Sequence, residues 1–402
     1  MTPEKAAPCF DPSVIPNIRY GRCRYRTGGQ PVGLPNGPRR VLLLEKRRLP
    51  RLKACGGGLT QRARALLPFD LDGLVEDRAR TTRLRVHYRT AFVKTDGTAP
   101  VHLVMRDRFD HFLVRQAEAA GVMVRDQTRF LSISGSPGNL TVKTTAGRFH
   151  TRLVVGADGV HSRVARALGL PVTYQVMPAL EAELAVAPEA RKCWAGSVFF
   201  DFGVIPGGYA WLFPKKNGIS TGILARNRPA RHLKPFLLEY LARNGLPGNE
   251  GFRSLRLHPI PCRPDPRNSY AGPRGLVVGD ATGLVDPVTG EGIYYALKGA
   301  MLAAAVLLAS ESYGPATARR YTRSIKAEIE AEVLKADILA RILYGCPRLS
   351  NWVLTRWGSK IGATHLAVYR GEMSYRQLFR YVMSPVGFAH LLWPQRGMAG
   401  KS

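Results

Sequence analysis

Two stretches of the chain set an acidic residue and several glycines at the end of an apolar run. Gly275-Leu-Val-Val-Gly-Asp-Ala-Thr-Gly-Leu-Val-Asp-Pro-Val-Thr-Gly-Glu-Gly-Ile293 runs from a strand-like segment into Gly279-Asp280 and then into a glycine-spaced helix start. Asp280 at a strand end can accept a hydrogen bond from a hydroxyl of a ribityl chain. Gly290 and Gly292 leave backbone N–H groups open to an anionic phosphate beside a helix N-terminus, which favours negative charge. Glycine permits a ligand to approach the backbone that closely. Taken alone, the stretch also reads as a strand, a turn and a buried helix, because Ala296–Leu308 is apolar enough for a core. The second stretch, Thr151-Arg-Leu-Val-Val-Gly-Ala-Asp-Gly-Val-His-Ser-Arg-Val-Ala-Arg-Ala-Leu168, again ends a strand in Gly156 and Asp158-Gly159 before turning into a helix. Two such elements suggest one nucleotide-shaped ligand held from two sides.

Other chemistry-bearing positions lie between and before them. Val41–Glu45 is an apolar strand closing on an acid, where a βαβ unit places the carboxylate that holds a ribose 2′-hydroxyl; an exposed acid beside Lys46 and Arg47 is the plainer view of Glu45. Cys55 precedes Gly56-Gly57-Gly58, a turn with little side-chain bulk. A lone cysteine is also a common small core residue. Tyr209, Trp211 and Phe213 alternate along an expected strand and so face one side, either as a wall suited to a long apolar chain or as a packed aromatic face.

The two strand-to-glycine elements resemble the downstream flavin fingerprints of the aromatic-hydroxylase-like flavoproteins. Within that group, the Glu45–Leu59 loop and the Pro206-Gly-Gly-Tyr-Ala-Trp-Leu-Phe-Pro214 run are similar to the geranylgeranyl reductase family, over roughly residues 41 to 330. The resemblance implies FAD as cofactor, with Glu45, Lys53, Ala54, Gly56, Arg106, Asp158, Gly159, Asp280, Gly290, Gly292 and Ile293 around it. It places Tyr209, Trp211 and Phe213 along a prenyl pocket. It puts Cys55 where a thiol influences proton delivery or the position of an alkene. The implied reaction is saturation of C=C bonds in a geranylgeranyl chain carried by a lipid, chlorophyll precursor, prenyl diphosphate or quinone, with NADPH or ferredoxin as external reductant. A flavin monooxygenase acting on an aromatic or quinone substrate is the alternative, since the same fingerprints serve both reactions. A non-catalytic prenyl-lipid carrier or inactive product is a third reading.

The expected fold is α/β: an FAD-binding Rossmann-like domain (41–171 and 269–320) interleaved with a β-rich substrate domain (172–268), followed by a helical region (321–402) that caps the substrate cavity. Strands are expected at Ala179–Val186, Gly196–Phe202, Tyr209–Pro214 and Gly218–Leu224. Arg106–Val124 reads as an amphipathic helix with Phe109, Phe112, Leu113 and Ala117 on one face, stopped at Gly121 and followed by a strand.

Composition narrows the setting. The 402-residue chain carries 59 basic against 29 acidic residues, a net charge of +30. Such a charge suits an anionic membrane surface or a phosphorylated substrate, or is simply solvated. No nucleic-acid module is visible and the basic residues are not striped, so nucleic acid is not expected as a partner. The six cysteines form no Cys-x-x-Cys pair and no histidines are ligand-spaced, which argues against a metal site and for a reducing compartment. With no signal-peptide core and Ala300–Ala309 too short to span a bilayer, a cytoplasmic protein with peripheral membrane contact is expected. Oligomeric state is not set by these features.

A dinucleotide fold needs Gly-x-Gly-x-x-Gly between its first strand and helix, and residues 1–40 hold none. Gly28-Gly-Gln-Pro-Val-Gly33 has the wrong spacing, and Pro31, Pro35 and Pro38 forbid the following helix. Back-translating Ile18–Gln30 and reading one nucleotide later permits Tyr-Asp-(Met/Thr)-Val-Val-Val-Gly-(Thr/Ile)-Gly-Pro-Ala-Gly-Ser, an apolar strand running into the missing motif. The expectation is that residues 1 to roughly 40 are an out-of-frame reading of a flavin-binding N-terminus and form neither the strand nor the helix.

Overall fold

The computed structural model describes residues 40–95, 101–226, 228–382 and 384. The expectation for residues 1–39 lies outside them. The centre of the molecule is a seven-stranded sheet in the order Phe252–Pro264, Tyr174–Leu184, Gly218–Ala225, Gly208–Lys215, Ser197–Phe202, Thr81–Val86, Arg89–Thr95. Its strands pair antiparallel except where Ser197–Phe202 runs parallel to Thr81–Val86. The four strands expected in the 172–268 segment form. The sheet also takes in residues 81–95 from ahead of that segment, so the chain enters the sheet once before the bulk of it is built.

Strand periodicity sorts the two faces. Ala210 and Leu212 join Leu180, Ile219 and Ile223 against the helix Leu233–Arg243, through Leu233, Leu237, Tyr240 and Leu241. Tyr209, Trp211 and Phe213 project to the opposite face, where they meet Ala179, Phe200, Leu354, Leu366 and Tyr369. That face is covered by the helices Ala331–Gly345 and Pro347–Arg370, the latter kinked at Trp357. Close approach is made by glycine: a Cβ on Gly362 would stand 2.3 Å from the Phe92 ring, and one on Gly222 2.3 Å from the Trp211 ring. The helix Pro315–Ile325 straddles the boundary expected at 321, and the continuous helical run begins before it with Ile293–Leu308.

The remaining strands are short. Leu42–Leu44 pairs parallel with Met123–Arg125, and Val154–Gly156 pairs parallel with Gly275–Val277. The amphipathic helix spans Arg106–Ala119 and buries Phe109. The helix Ile293–Leu308 packs with Pro315–Ile325 over the Gly275–Val277 strand, where Tyr321, Ile325 and Val277 are buried together.

Candidate functional site

Parallel pairing of Val154 with Gly275 brings the carboxyl ends of those two strands side by side, the end at which open α/β sheets bind ligands. Each strand leaves through a glycine with positive φ: Gly159 at 79° and Gly279 at 60°. After Gly279-Asp280 the chain loops back, and helix Ile293–Leu308 starts with Gly292 as N-cap and no side-chain cap. Its first N–H groups therefore remain for a ligand.

A cavity of about 420 Å³ runs from this end to the aromatic face of the large sheet. Lys53, Ala54, Cys55, Gly56, Arg106, Gly159, Asp280, Gly290, Gly292 and Ile293 line it, as do Tyr209, Trp211 and Phe213. Residues separated by up to 240 positions are thus gathered round one space. Two acids singled out from the sequence are engaged elsewhere. The Asp158 carboxylate accepts the Ser162 hydroxyl and the N–H groups of Arg163 (2.7 Å) and Val164 (3.1 Å), so it caps the short helix Arg163–Leu168 rather than facing the cavity. Glu45 accepts the Arg47 N–H at 3.0 Å on one oxygen and Arg51 Nε at 2.7 Å on the other.

The Cys55-Gly-Gly-Gly turn is a packed joint. A Cβ on Gly56 would sit 2.9 Å from the Phe213 ring and 3.0 Å from Trp211 Nε1. Gly57 has φ +69°, and a Cβ there would lie 2.0 Å from the Val104 carbonyl oxygen. Buried Lys215 donates to the carbonyls of Gly56 (2.7 Å) and Val104 (2.9 Å), fixing the turn against the sheet. Burial alone would lower the Arg106 pKa, but the Cys55 sulfur and Asp110 beside it raise it. Asp110, which burial would raise, is held below the ordinary carboxylate range by Arg106 and Arg51.

Several residues that shape or line the cavity carried no motif. Glu291, between the two glycines of the loop, is buried and paired with Arg62, whose guanidinium lies 4.2 Å from the Tyr294 ring centre. Thr60 donates to the same carboxylate. Asp286 is fully buried and accepts from the Val288 N–H, the Thr289 hydroxyl and the Tyr375 hydroxyl, the last at 2.7 Å. These charges hold the Asp286–Gly292 loop in shape, and Tyr209 joins it to the aromatic wall by donating to the Thr289 carbonyl. On the strand Tyr174–Leu184, Glu181 lines the cavity, and burial followed by neighbouring Glu183 pushes its carboxyl up to about 8 against the opposing Cys55 N–H and Lys215. The sequence signal was an alternation of acids, Glu181 and Glu183, on a strand that is interior to its sheet.

The donor set suits the isoalloxazine and ribityl portion of a flavin. It offers an acid at a strand end, an uncapped helix N-terminus, glycines lining the passage and an arginine at the head of a helix. Among the described residues no group of three or more His, Cys, Asp or Glu is arranged to hold a metal ion.

Residues 45–234 match the family described as FAD binding domain. The chain is 30% identical over 304 residues to geranylgeranyl diphosphate reductase of Rhodobacter capsulatus, covering 71% of this chain and 74% of that protein. A geranylgeranyl bacteriochlorophyll reductase-like protein of Thermoplasma acidophilum shares its fold with a TM-score of 0.67 and 24% identity, over 79% of this chain and 83% of that one. A probable FAD-dependent monooxygenase of Pseudomonas aeruginosa does so with a TM-score of 0.58 and 19% identity, over 75% and 89%. The fold therefore hosts more than one flavin chemistry.

Proposed function

Starting from the fact that the chain belongs to the geranylgeranyl reductase family of FAD-dependent oxidoreductases, we propose that it saturates C=C bonds in the geranylgeranyl chain of a lipid, chlorophyll precursor, prenyl diphosphate or quinone. The observation that carries this is the continuity of the cavity: the flavin-side residues, the Cys55 turn and the wall of Tyr209, Trp211 and Phe213 line one space. FAD, once reduced by NADPH or ferredoxin, supplies a hydride equivalent to an alkene carbon. Asp280 would accept from a ribityl hydroxyl, and the N–H groups at Gly292 and Ile293 would hold the pyrophosphate. The Gly290 N–H, expected from the sequence to be open to phosphate, instead donates to the Asp286 carbonyl at 2.9 Å, and the absence of a side chain at Gly290 leaves room beside Ile260 and Tyr209. Lys53, 3.9 Å from Asp280, Ala54, Gly56 and Arg106 line the space the ring would take. The aromatic wall orients the prenyl chain and excludes water, and Cys55 sets the alkene's position beside the ring. Glu45 joins the adenosine end if Arg51 yields one carboxylate oxygen.

The test is anaerobic turnover with dithionite-reduced, FAD-loaded protein and geranylgeranyl diphosphate. Chain saturation without oxygen supports the reductase. Oxygen-dependent hydroxylation of an aromatic or quinone would establish the monooxygenase alternative, for which the shared fold is the supporting observation. Purified protein unable to hold a stoichiometric flavin would support the non-catalytic reading.

A long prenyl substrate has to be taken from a membrane or a micelle. No helix among the described residues is long and apolar enough to cross a bilayer. The corner between Ala331–Gly345 and Pro347–Arg370, however, exposes Ile342 (60%), Leu349 (52%) and Trp352 (59%) beside exposed Arg348 and Arg356. This corner, on a chain of net charge +30, is our candidate for peripheral contact with an anionic membrane. Trp352→Ala should weaken sedimentation with phosphatidylglycerol vesicles while leaving turnover of detergent-dispersed substrate intact.

A further inference from the structure

The reductase reading requires a proton as well as a hydride, and the cavity is bordered by a buried acid group, Glu181, whose contact with the Cys55 N–H leaves one carboxyl oxygen unused. Glu181 stands on the strand Tyr174–Leu184, which is hydrogen-bonded on both sides, to Gly218–Ala225 and to Phe252–Pro264. Leu180, Ala182 and Leu184 turn to the helix-covered face. Ala179, Glu181 and Glu183 therefore turn to the other, the face of Trp211 and Phe213. The Glu181 side chain is buried, and its Oε2 has no hydrogen-bond partner. A buried carboxyl oxygen without a partner is costly, and this one borders the cavity that also holds Cys55, Trp211 and Phe213.

A second, water-sized cavity lies behind the Cys55 turn and shares Glu181 and Cys55 with the first. Its other walls include Glu183, Ser254 and Arg256, all partly exposed. About one water fits such a space, with polar partners on several sides. Charged groups face Glu181 from every neighbouring element: Glu183 on its own strand, Lys215 on Gly208–Lys215, and Arg256 opposite it in the register with Phe252–Pro264. Arg106 and Asp107 face the shared space from the helix Arg106–Ala119, and Lys53 does so from the turn.

Resting on the reductase reading, we propose that Glu181 is the catalytic acid, giving its proton to the alkene carbon that does not receive the hydride, and that Glu183 and the small cavity refill it from solvent. In this step one alkene carbon gains a C–H bond with the hydride from reduced flavin. The Glu181 O–H bond breaks as the second carbon gains its C–H bond. The flavin ends oxidised, and the carboxylate left behind is reprotonated through Glu183. With its carboxyl pushed up to about 8, Glu181 is mostly protonated at neutral pH, the state an acid catalyst needs. Cys55 then positions the alkene and is not the proton source.

Single-turnover reduction of geranylgeranyl diphosphate by dithionite-reduced, FAD-loaded protein tests this. Wild-type rate should fall as pH rises through about 8. Glu181→Gln should bind FAD normally, lose at least about 100-fold in rate and lose that pH dependence, while Glu181→Asp recovers part of the rate. Glu183→Gln, which removes a neighbour that holds the Glu181 carboxyl up, should move the fall in rate to lower pH. Independently of flavin, a wild-type minus Glu181→Gln infrared difference spectrum at neutral pH should show the band of a protonated carboxylic acid. Wild-type rate and pH profile in Glu181→Gln, or no such band in the difference spectrum, overturns the proposal while the reductase reading survives. FAD-loaded wild type that saturates no prenyl alkene overturns both.

Discussion

The aromatic wall and the phosphate-side loops are built by different means. The wall is a property of a sheet: Tyr209, Trp211 and Phe213 face the cavity because every second residue of Gly208–Lys215 must, and both neighbouring strands lock the register. The phosphate side is made of short parallel pieces, and among the described residues Leu42–Leu44 with Met123–Arg125 and Val154–Gly156 with Gly275–Val277 are separate sheets. What shapes the loop on this side is charge: Glu291 on Arg62 and Asp286 on Tyr375 and its own loop. Hydrophobic pattern therefore sets the substrate side, whereas on the cofactor side the strand Gly275–Val277 is packed under Tyr321 and Ile325 but the Asp286–Gly292 loop is held by a few buried polar contacts.

The largest expected effect breaks the charged side. Arg62→Met leaves the Glu291 carboxylate buried without its cation, and removing one partner of such a pair costs about 3–5 kcal/mol. Urea unfolding should show that loss, and adding Glu291→Gln should return part of it. Equal stability in Arg62→Met and wild type would mean that the loop is held by packing, and the contrast between the regions would fail. Next comes the front of the chain. Replacing residues 18–30 with the one-nucleotide-shifted reading should supply a strand and a glycine-rich turn, hence two further N–H donors to pyrophosphate at about 1.5 kcal/mol each. FAD should then bind at least about 100-fold more tightly by fluorescence titration. Sequencing the gene across codons 1–45 checks the premise directly. Tyr209→Phe, on the joint between the two regions, removes the hydrogen bond to Thr289 and should cost about 1 kcal/mol, with a larger loss of prenyl affinity than of FAD affinity.

Legibility from sequence followed the same division. The strands of the 172–268 segment, the helix from Arg106 and the two strand-to-glycine elements were readable because each expresses a period or a backbone requirement. The strand Thr81–Val86 was not, since arginines occupy Arg83 and Arg85 between the buried Thr82, Leu84 and Val86. Arg85 is matched on the adjacent strand by buried Asp201, to which it donates at 2.7 Å, and by Asn244 at 2.9 Å. Those partners are more than 100 residues away in the chain, so a buried ion pair looked like a solvated run. Glu291, Arg62, Asp286 and Glu181 were missed for the same reason. A side chain's charge is written in the sequence, but its partner and its burial are set by topology. Asp158 shows the converse: the motif was found, yet its carboxylate is used by its own helix.

The smallest effect concerns the helices over the wall. His365, one turn before the cavity-lining Tyr369 and 4.8 Å from its ring, has its pKa lowered to about 4, chiefly by burial; Asp286 opposes that shift and Arg62 adds to it. Because the folded pKa lies below the ordinary value near 6.5, the folded state prefers the neutral ring. Its stabilisation is complete above pH 6.5 and is lost as pH falls from there toward 4. Wild-type melting temperature should therefore decline through that window more steeply than that of His365→Asn, and amide exchange should quicken first around Tyr369. If exchange instead quickens first in the Asp286–Gly292 loop, the charged side is the weaker of the two in acid, and the wall is held by more than its helical cover.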